Sequence, residues 1–556
     1  MKRDNIVREE TVGDAVARYL ADIGVQTVFG VISIHNMPIL DAIARQGRIR
    51  FIPARGEAGA MNMADAYGRV AGHLGVVITS TGTAAGNAAG AQVEALTAGT
   101  PLLHITSQVD RAFMDRDRGA IHDVPRQAEM LKAISKTFLR MWEPRGAIPT
   151  LSAAVSAALS APTGPVSLEI PVDIQRLPTT VSTPEPLPVV QTPRASDEAI
   201  AALAERVKLA RRPMLWLGGG ARRARKAAHL LMDKGFGAVT STNGRAVVDE
   251  RHPATLGAFN MNAEAEAIYA QCDLLLVVGS RLRGNETRDN KLPLPPIVQI
   301  DAEATQGGRN YAVESFIHGD AGNTLSRLAE ALPETLNPDA DFLHAIAVAR
   351  ARSEGQLRDL LGPYRVVADV LQERVAEGAH PWVRDVTISN STFGNRYVQI
   401  DRPGLGVHAL GGGIGQGIAM GIGAGVVPGA ARAVVLVGDG GAQLGIAELI
   451  TAVDESANLV YVLMNDAAYG VIRNIQDAQY DGRHHYSALK TPDFATLCAA
   501  IDMPHRRVGD IGDFADTLDA ALAEDGPVLI EVDMKAIGPF AQAFAGPPAG
   551  AAGKTA

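Results

Sequence analysis

Cysteine is nearly absent from this chain of 556 residues. The two present, Cys272 and Cys498, form no Cys-x-x-Cys pair and no disulfide framework. Both lie in apolar surroundings, which suits a reducing compartment and a structural role for each thiol. Positive charge is also short. A net charge of −9 gives no electrostatic reason to expect nucleic acid or an anionic membrane as a partner. No apolar secretory core stands near Met1-Lys2-Arg3-Asp4-Asn5, which leads into a polar helix, so a cytoplasmic protein is expected. Long hydrophobic runs are equally scarce. The one candidate, Val407 to Val427, is long enough to span a bilayer. It carries eight glycines between Gly411 and Gly425, with His408 and Gln416 inside, and reads better as a Gly-rich helix packed in a folded protein.

What is there is ordinary for a soluble chain: 47% hydrophobic and 20% charged residues, in a length too great for one core. Two to four domains are expected. Thr11 can cap a helix over Gly13 to Ile23, and Gln26 to Phe29 reads as a strand ending in Gly30. Apolar strands follow at Val76–Ile78, Leu102–Ile105 and Val166–Ile170, with helical patterns between them. This alternation predicts a parallel sheet covered on both faces. From Arg176 to Pro193 the chain turns Pro/Thr-rich and reads as a stiff linker. A second α/β unit has strands at Pro213–Leu217, Asp273–Val278 and Ile297–Asp301. A charged helical connector (333–364) leads to a third α/β unit. The tail after Pro539, Gly546-Pro547-Pro548 to Ala556, reads as disordered or a lid. The expected class is therefore α/β, with three doubly wound parallel-sheet domains over 1–178, 190–334 and 365–540.

The most informative stretch lies in the third unit. Asp439, within Gly438-Asp439-Gly440, ends the apolar run Ala433–Val437. Asp466 stands 27 positions later (466 − 439), after the run Leu459–Met464. A strand, a crossover helix and a neighbouring strand need about 30 residues, so both carboxylates fall at the carboxyl edge of one sheet. Two hard oxygen ligands there suit magnesium, which keeps open positions for water and a diphosphate. Gly-Asp-Gly by itself is only a turn after a strand. With the spacing and the second acid it resembles the signature of thiamine-diphosphate enzymes.

The resemblance covers essentially the whole chain, and much of it looks like acetolactate synthase, as in Tyr469-Gly470-Val471-Ile472-Arg473 and Tyr480-Asp481-Gly482-Arg483-His484. It implies a pyrimidine-binding first domain, a central Rossmann-like domain and a diphosphate-binding third domain. It also implies that one chain's first domain faces another's third, hence a homodimer or homotetramer with the active site at the subunit interface. The implied metal ligands are Asp439, Asp466 and the Ala468 carbonyl, although the family usually has Asn-Asn where this chain has Asn465-Asp466. Gly438, Gly440, Gly441, Ala442, Tyr469 and Gly470 would line the diphosphate. The run Gly411 to Gly417 is similar to the family's cofactor cradle, with the Gly412 carbonyl accepting the exocyclic amine and Ile414 wedging the cofactor into a bent shape. A glycine hinge is the plainer reading. Arg55 to Arg69 is similar to the activating-glutamate segment, which makes Glu57 the acid that drives the aminopyrimidine into its imino form. Against this stands a carboxylate that merely caps its helix.

Substrate choice is less legible. His35, in the loop Val28 to Asn36, resembles the loop histidine of benzaldehyde lyase and cyclohexane-1,2-dione hydrolase, the alternative being a solvated loop histidine. Ser80 stands where decarboxylases of this family have a histidine. The first domain contains no adjacent histidine pair, which counts against simple decarboxylation to an aldehyde. Gln108 and His122 match polar positions of acetolactate-synthase-like sites, with His122 in place of glutamine. FAD is possible: Gly279 to Gly284 and Asp301 stand where that family contacts flavin, but its Arg-Phe-Asp-Asp-Arg pattern is degraded, and a vestigial unit used for packing is the alternative. The expected activity is a thiamine-diphosphate- and Mg2+-dependent carbon–carbon lyase or carboligase on a small 2-oxo acid or 2-hydroxyketone. Glu57, His35, Gln108 and His122 would be its catalytic groups. The rivals are a cyclic 1,2-dione hydrolase, a 2-oxo acid decarboxylase and a non-catalytic paralogue.

Overall fold

The computed structural model describes residues 7–182 and 186–544; the start of the chain and the Gly546–Ala556 tail lie outside the described residues. The chain forms two compact units, one from 1–191, 409–430 and 444–458, the other from 192–408, 431–443 and 459–556.

The first unit opens with β1 (Val7–Thr11). Thr11 then caps the helix Val12–Asp22, its hydroxyl accepting from the Asp14 amide at 3.1 Å while the Asp14 carboxylate reaches back. Six parallel strands follow: β2 (Thr27–Gly30), β3 (Arg50–Pro53), β4 (Gly75–Thr79), β5 (Leu102–Gln108), β6 (Thr137–Arg140) and β7 (Pro165–Pro171). Their order is β3-β2-β4-β5-β7-β6. The Pro/Thr-rich stretch departs from the linker expectation. Its first part is β8 (Pro178–Ser182), paired antiparallel with β1 so that Thr11 faces Pro178 and Val7 faces Ser182. Proline is tolerated as the first residue of an edge strand, and the β-branched Thr179, Thr180 and Val181 favour extension.

The second unit carries two more parallel sheets. β9 (Pro213–Leu217), β10 (Gly237–Thr240), β11 (Leu274–Val278), β12 (Ile297–Asp301) and β13 (Ser315–His318) are ordered β10-β9-β11-β12-β13. The charged connector is the helix Ala340–Leu361. β14 (Trp382–Arg384), β15 (Gly406–His408), β16 (Ala433–Gly438), β17 (Leu459–Asn465), β18 (His505–Val508) and β19 (Val528–Asp533) are ordered β15-β14-β16-β17-β19-β18. The protein is therefore α/β with three parallel sheets. Most of the central strands are buried along their whole length, which is why they read as unbroken apolar runs.

Each sheet reverses direction early in its course, and the first and third reverse again at β5–β6–β7 and β17–β18–β19. The chain passes from β2 outward to β3, then returns to β4 on the other side, and does the same at β9–β10–β11 and β14–β15–β16. Such reversals leave a crevice beyond the carboxyl ends of the two strands that flank them, the usual ligand position in α/β sheets.

The apolar run Val407 to Val427 divides into the end of β15, a glycine loop and the nine-residue helix Gly417–Gly425. Among the described residues no helix is long and apolar enough to cross a membrane. Within the first unit the helix packs on Glu57–Ala71. A Cβ added at Gly423 would lie 2.1 Å from the Met63 carbonyl oxygen, so only glycine permits this approach.

Candidate active site

Glu57 is the first residue of the helix Glu57–Ala71, directly after the short turn that follows β3. It makes no capping hydrogen bond. Its Oε2 instead accepts from the Asn87 side-chain amide at 3.0 Å, from the neighbouring helix Thr83–Ala98. The amides leading into the helix, Arg55 and Gly56, donate to the Glu448 carboxylate at 3.1 and 3.0 Å.

His35 lies in the loop after β2 and is buried, 7% exposed. The Asn36 side chain shapes that loop by accepting from the Ser33 amide at 2.8 Å and donating to the Val31 carbonyl at 2.9 Å. His35 Nδ1 is 3.4 Å from the hydroxyl of Ser80, in the loop after β4, so the contact crosses the reversal point of the first sheet. The ring of exposed His122 stands edge-on to that of His35, with centroids 5.3 Å apart. His122 adopts a left-handed backbone (φ 68°), and its carbonyl sits on Gly82, where a Cβ would be 2.2 Å from that oxygen. Burial first, and then the His122 imidazole, press His35 below the ordinary histidine value, with Asp110 opposing. A neutral imidazole at neutral pH results. The fold thus builds from residues 87 positions apart (122 − 35) the histidine pair that the first domain lacks in sequence.

Gln108 is placed differently. It is wholly buried, accepts from the Thr81 hydroxyl at 2.9 Å and the Val109 amide at 2.8 Å, and donates to Glu169 at 3.2 Å. Gln127 joins this layer, donating to Glu169 at 2.7 Å and accepting from the Gly82 amide at 2.6 Å. Burial raises the Glu169 carboxyl, and Arg140 opposes the shift. The amide of Gln108 is therefore engaged inside the protein, beside the Ser80–Gly82 loop that the two histidines touch.

The glycine loop is held at its start by Glu94, whose carboxylate accepts from the Leu410 and Gly411 amides at 2.7 and 2.6 Å. Glu94 is buried beside Arg69, which also pairs with Asp65. Gly412 and Gly415 have φ of 82° and 88°, and Ile414 between them is 40% exposed. Open backbone and a protruding apolar side chain are what a cofactor cradle needs.

In the second unit, Asp439 directly follows β16 and opens the short buried helix containing Gly440, Gly441 and Ala442. Asp466 follows β17, its Oδ1 accepting from the Ala468 amide at 3.2 Å. The two carboxylates face each other. Burial, then the charge of Asp466, hold Asp439 well above the usual carboxylate range, and burial raises Asp466 as well. Oδ2 of Asp439 is buried without a hydrogen-bond partner. A divalent cation answers both the repulsion and the orphaned oxygen, so the donor set fits magnesium. Among the described residues no three His, Cys, Asp or Glu side chains converge, so backbone, water or phosphate oxygens must complete its shell. The loop bearing Ala468 is fixed from outside, with the Tyr469 amide donating to the Ser487 carbonyl at 2.8 Å and the Leu489 amide to the Ala467 carbonyl at 2.9 Å. The Tyr469 ring covers Gly440, where a Cβ would be 2.6 Å from it, and Gly470 faces Asp466 at 2.4 Å by the same measure.

At the reversal of the central sheet the backbone closes on itself. A Cβ on Gly218 would lie 2.2 Å from the Gly279 carbonyl oxygen, and one on Gly220 would lie 2.8 Å from the Gly279 Cα. Burial raises Asp301, at the end of β12, against the nearby charge of Arg281.

Three matches follow this geometry. Residues 10–130 match the thiamine pyrophosphate enzyme N-terminal TPP binding domain, 200–328 the central domain and 387–532 the C-terminal TPP binding domain. The chain belongs to the thiamine pyrophosphate enzymes. It is 31% identical over 538 residues to "Probable 2-ketoarginine decarboxylase AruI" of Pseudomonas aeruginosa, covering 94% of both chains. It is 27% identical to the acetolactate synthase large subunit of Corynebacterium glutamicum (94% of this chain, 86% of that one). The mitochondrial acetolactate synthase catalytic subunit of Saccharomyces cerevisiae is 24% identical (92% and 78%).

Sequence reasoning missed Asn87, Glu94, Gln127, Glu169 and Glu448. None has a local signature, because each acts on a segment distant in sequence. The nearest signal is a polar Asn87 in an Ala/Gly-rich helix.

Proposed function

We propose that this chain is a thiamine-diphosphate- and magnesium-dependent carbon–carbon lyase or carboligase acting on a 2-oxo acid or 2-hydroxyketone. The observation that carries the reading is the neutral, buried His35 paired with His122 across from Ser80, at the reversal point of the sheet that also leads to Glu57. Asp439, Asp466 and the Ala468 carbonyl would hold the metal; Gly412, Ile414 and the glycines around Asp439 would hold the cofactor. When bound, thiamine diphosphate would supply a centre that stabilises negative charge on the carbonyl carbon itself, as an acyl-anion equivalent, so that a bond to that carbon can break or form. Glu57, with Oε2 oriented by Asn87, holds and moves a proton at its carboxylate, a role typically worth about 10²–10⁴ in rate. His35 exchanges a proton at Nε2, the nitrogen not turned to Ser80, and His122 supplies a second imidazole from the solvent side. The site would be completed by a second copy, as a homodimer or homotetramer.

A second outcome, release of the fragment as an aldehyde, gains support from the same histidine pair, since it puts a proton source at the crevice. Both oxygens of Asp123, next to His122, are buried without a partner. With Asp110 acting on His35, this favours a 2-oxo acid bearing a cationic group, the chemistry in the name of the Pseudomonas relative. The glycine closure at Gly218 and Gly279 supports packing rather than flavin binding for the central sheet; a visible absorption spectrum of the purified protein tests this.

The deciding experiment incubates the protein with cofactor, magnesium and either pyruvate plus an aldehyde or 5-guanidino-2-oxopentanoate, with products read by mass spectrometry. A 2-hydroxyketone identifies carboligation and a free aldehyde identifies decarboxylation. Full activity in Glu57→Gln would overturn the mechanism, and no heat on titrating cofactor and magnesium into the protein would overturn the reading as a whole and leave a non-catalytic paralogue.

A further inference from the structure

We infer that Glu448 is a positioning residue for Glu57, holding by its carboxylate the turn from which the activating acid projects; this rests on the reading of Glu57 given above. Glu448 opens the short helix Glu448–Asp454 and is 5% exposed. Its hydrogen-bond partners are the amides of Arg55 and Gly56 and, at 2.7 Å, the Thr451 hydroxyl. A buried carboxylate with no Lys or Arg partner among the described residues is costly, so its three donors must be well placed to retain it. The opposing surface is cut to receive it. A Cβ on Gly59, in the first turn of the Glu57 helix, would lie 2.1 Å from Glu448 Oε1, so glycine there lets the carboxylate reach the turn. Two further contacts run along the same segment: the Arg55 guanidinium pairs with Asp454, and Arg50 Nη2 lies 2.6 Å from Glu455. Glu448 thus takes the two amides immediately before Glu57, at a helix start whose Gly56 N-cap has no side chain to do so. The Glu57 carboxylate is left to Asn87.

The geometry predicts a specific failure in Glu448→Gln. Both amides reach Oε1, and Arg55 also reaches Oε2 at 3.2 Å. The glutamine removes the charge behind these bonds and sets an NH2 against the Arg55 N–H at the Oε2 position, so that contact is lost and the turn loosens. A misplacement near 1 Å at a reacting group can cost about 10²-fold, and loss of one charge-assisted hydrogen bond about 10- to 100-fold. The expected kcat in Glu448→Gln is therefore lower by about 10- to 100-fold, with substrate KM little changed. Two readouts separate positioning from general structural support. In the cofactor-free protein, amide hydrogen exchange should quicken at Arg55 and Gly56 and not elsewhere in the unit. In a double-mutant cycle, Glu57→Gln/Glu448→Gln should be no slower than Glu57→Gln alone, because Glu448 acts only through Glu57. Unchanged exchange at the turn, exchange quickened throughout the unit, or losses that multiply in the cycle would each overturn the inference. If Glu448→Gln does not fold, Thr451→Val loosens the same carboxylate from its other side. It should give the same local exchange change and a loss of about 2- to 5-fold in kcat; wild-type behaviour there would also overturn it. An inactive Glu57→Gln beside a fully active Glu448→Gln sinks this inference alone, whereas an active Glu57→Gln sinks the functional reading beneath it.

Discussion

Gly423→Ala adds one methyl group where two helices meet backbone to backbone, and its effect can be worked out from the contact. The new Cβ would lie 2.1 Å from the Met63 carbonyl oxygen, 2.7 Å from its carbonyl carbon and 2.7 Å from its Cα, against an ordinary contact that begins at 3.4 Å. The helices must part by about 1.3 Å (3.4 − 2.1), and neither partner is a side chain that can rotate away. Overpacking of this kind costs about 1–3 kcal/mol, and a clash between two rigid backbones belongs at the upper end. The better helix propensity of alanine returns about 1 kcal/mol, leaving a net loss near 2 kcal/mol. For a unit of this size that lowers Tm by about 4–8 °C. Met63 stands six residues after Glu57 on the same helix (63 − 57), so the displacement also reaches the catalytic acid, and turnover should fall by about 10²-fold. Thermal unfolding and steady-state turnover measure both effects. Gly355→Ala is the control, in the helix Ala340–Leu361 with no atom within 4 Å of the added Cβ, and should leave Tm equal or slightly higher. A Gly423→Ala protein with wild-type Tm and turnover would show that the two helices are not held at this distance, and the reasoning would fail.

Two further outcomes follow from buried imidazoles. His104 is wholly buried between the Thr79 hydroxyl (2.8 Å) and Gln92 Oε1 (2.7 Å), and burial pushes it down to about 3. The unfolded state then binds the proton first as pH falls. Stability is full above the ordinary histidine value of 6.5 and is lost on acidification between 6.5 and about 3. At pH 5 the loss from this group alone is about 2 kcal/mol, and His104→Gln should flatten the dependence of urea midpoints on pH over that range. His122→Ala should move the acid limb of kcat/KM to higher pH, because it removes a neighbour that holds His35 down. An unmoved limb would mean that His35 is not the group titrating.

The fold was legible because parallel strands buried on both faces leave unbroken apolar runs, and because Asp439 and Asp466 mark two strand ends at a fixed separation. Glu57 was legible for a similar reason: a strand, a two-residue turn and a helix start are all local. The His35–His122 pair was not. Its geometry depends on a left-handed residue at His122 seated on Gly82, which nothing in the surrounding sequence announces. β8 was hidden by prolines whose position at a strand's first residue and beyond its last makes them harmless. Glu94 and Glu448 were hidden by distance: each serves amides more than 300 residues away in the chain, at Leu410 and Arg55. The three sheets share their first reversal, which carries the His35–Ser80 contact in the first and a glycine closure in the central one, while in the third Asp439 stands at it and Asp466 one strand further on. Strand order fixes where such a place lies, and single side chains decide what it can do.

Asp466 is one position at which this chain departs from the pattern it resembles, and charge alone decides what this departure should do. Two facing carboxylates repel in the metal-free protein, so Asp466→Asn should raise its Tm. The same change removes one of two negative ligands, so magnesium alone should bind more weakly, by about tenfold. With magnesium in place the balance reverses. A cation flanked by one carboxylate rather than two keeps more of its positive charge for a diphosphate, and cofactor affinity at saturating magnesium should rise. Calorimetry with metal alone, and then with cofactor over excess metal, separates the two terms. Movement of both affinities in the same direction, or a metal-free Tm that does not rise, would mean that Asp466 does not face Asp439 across a shared ion.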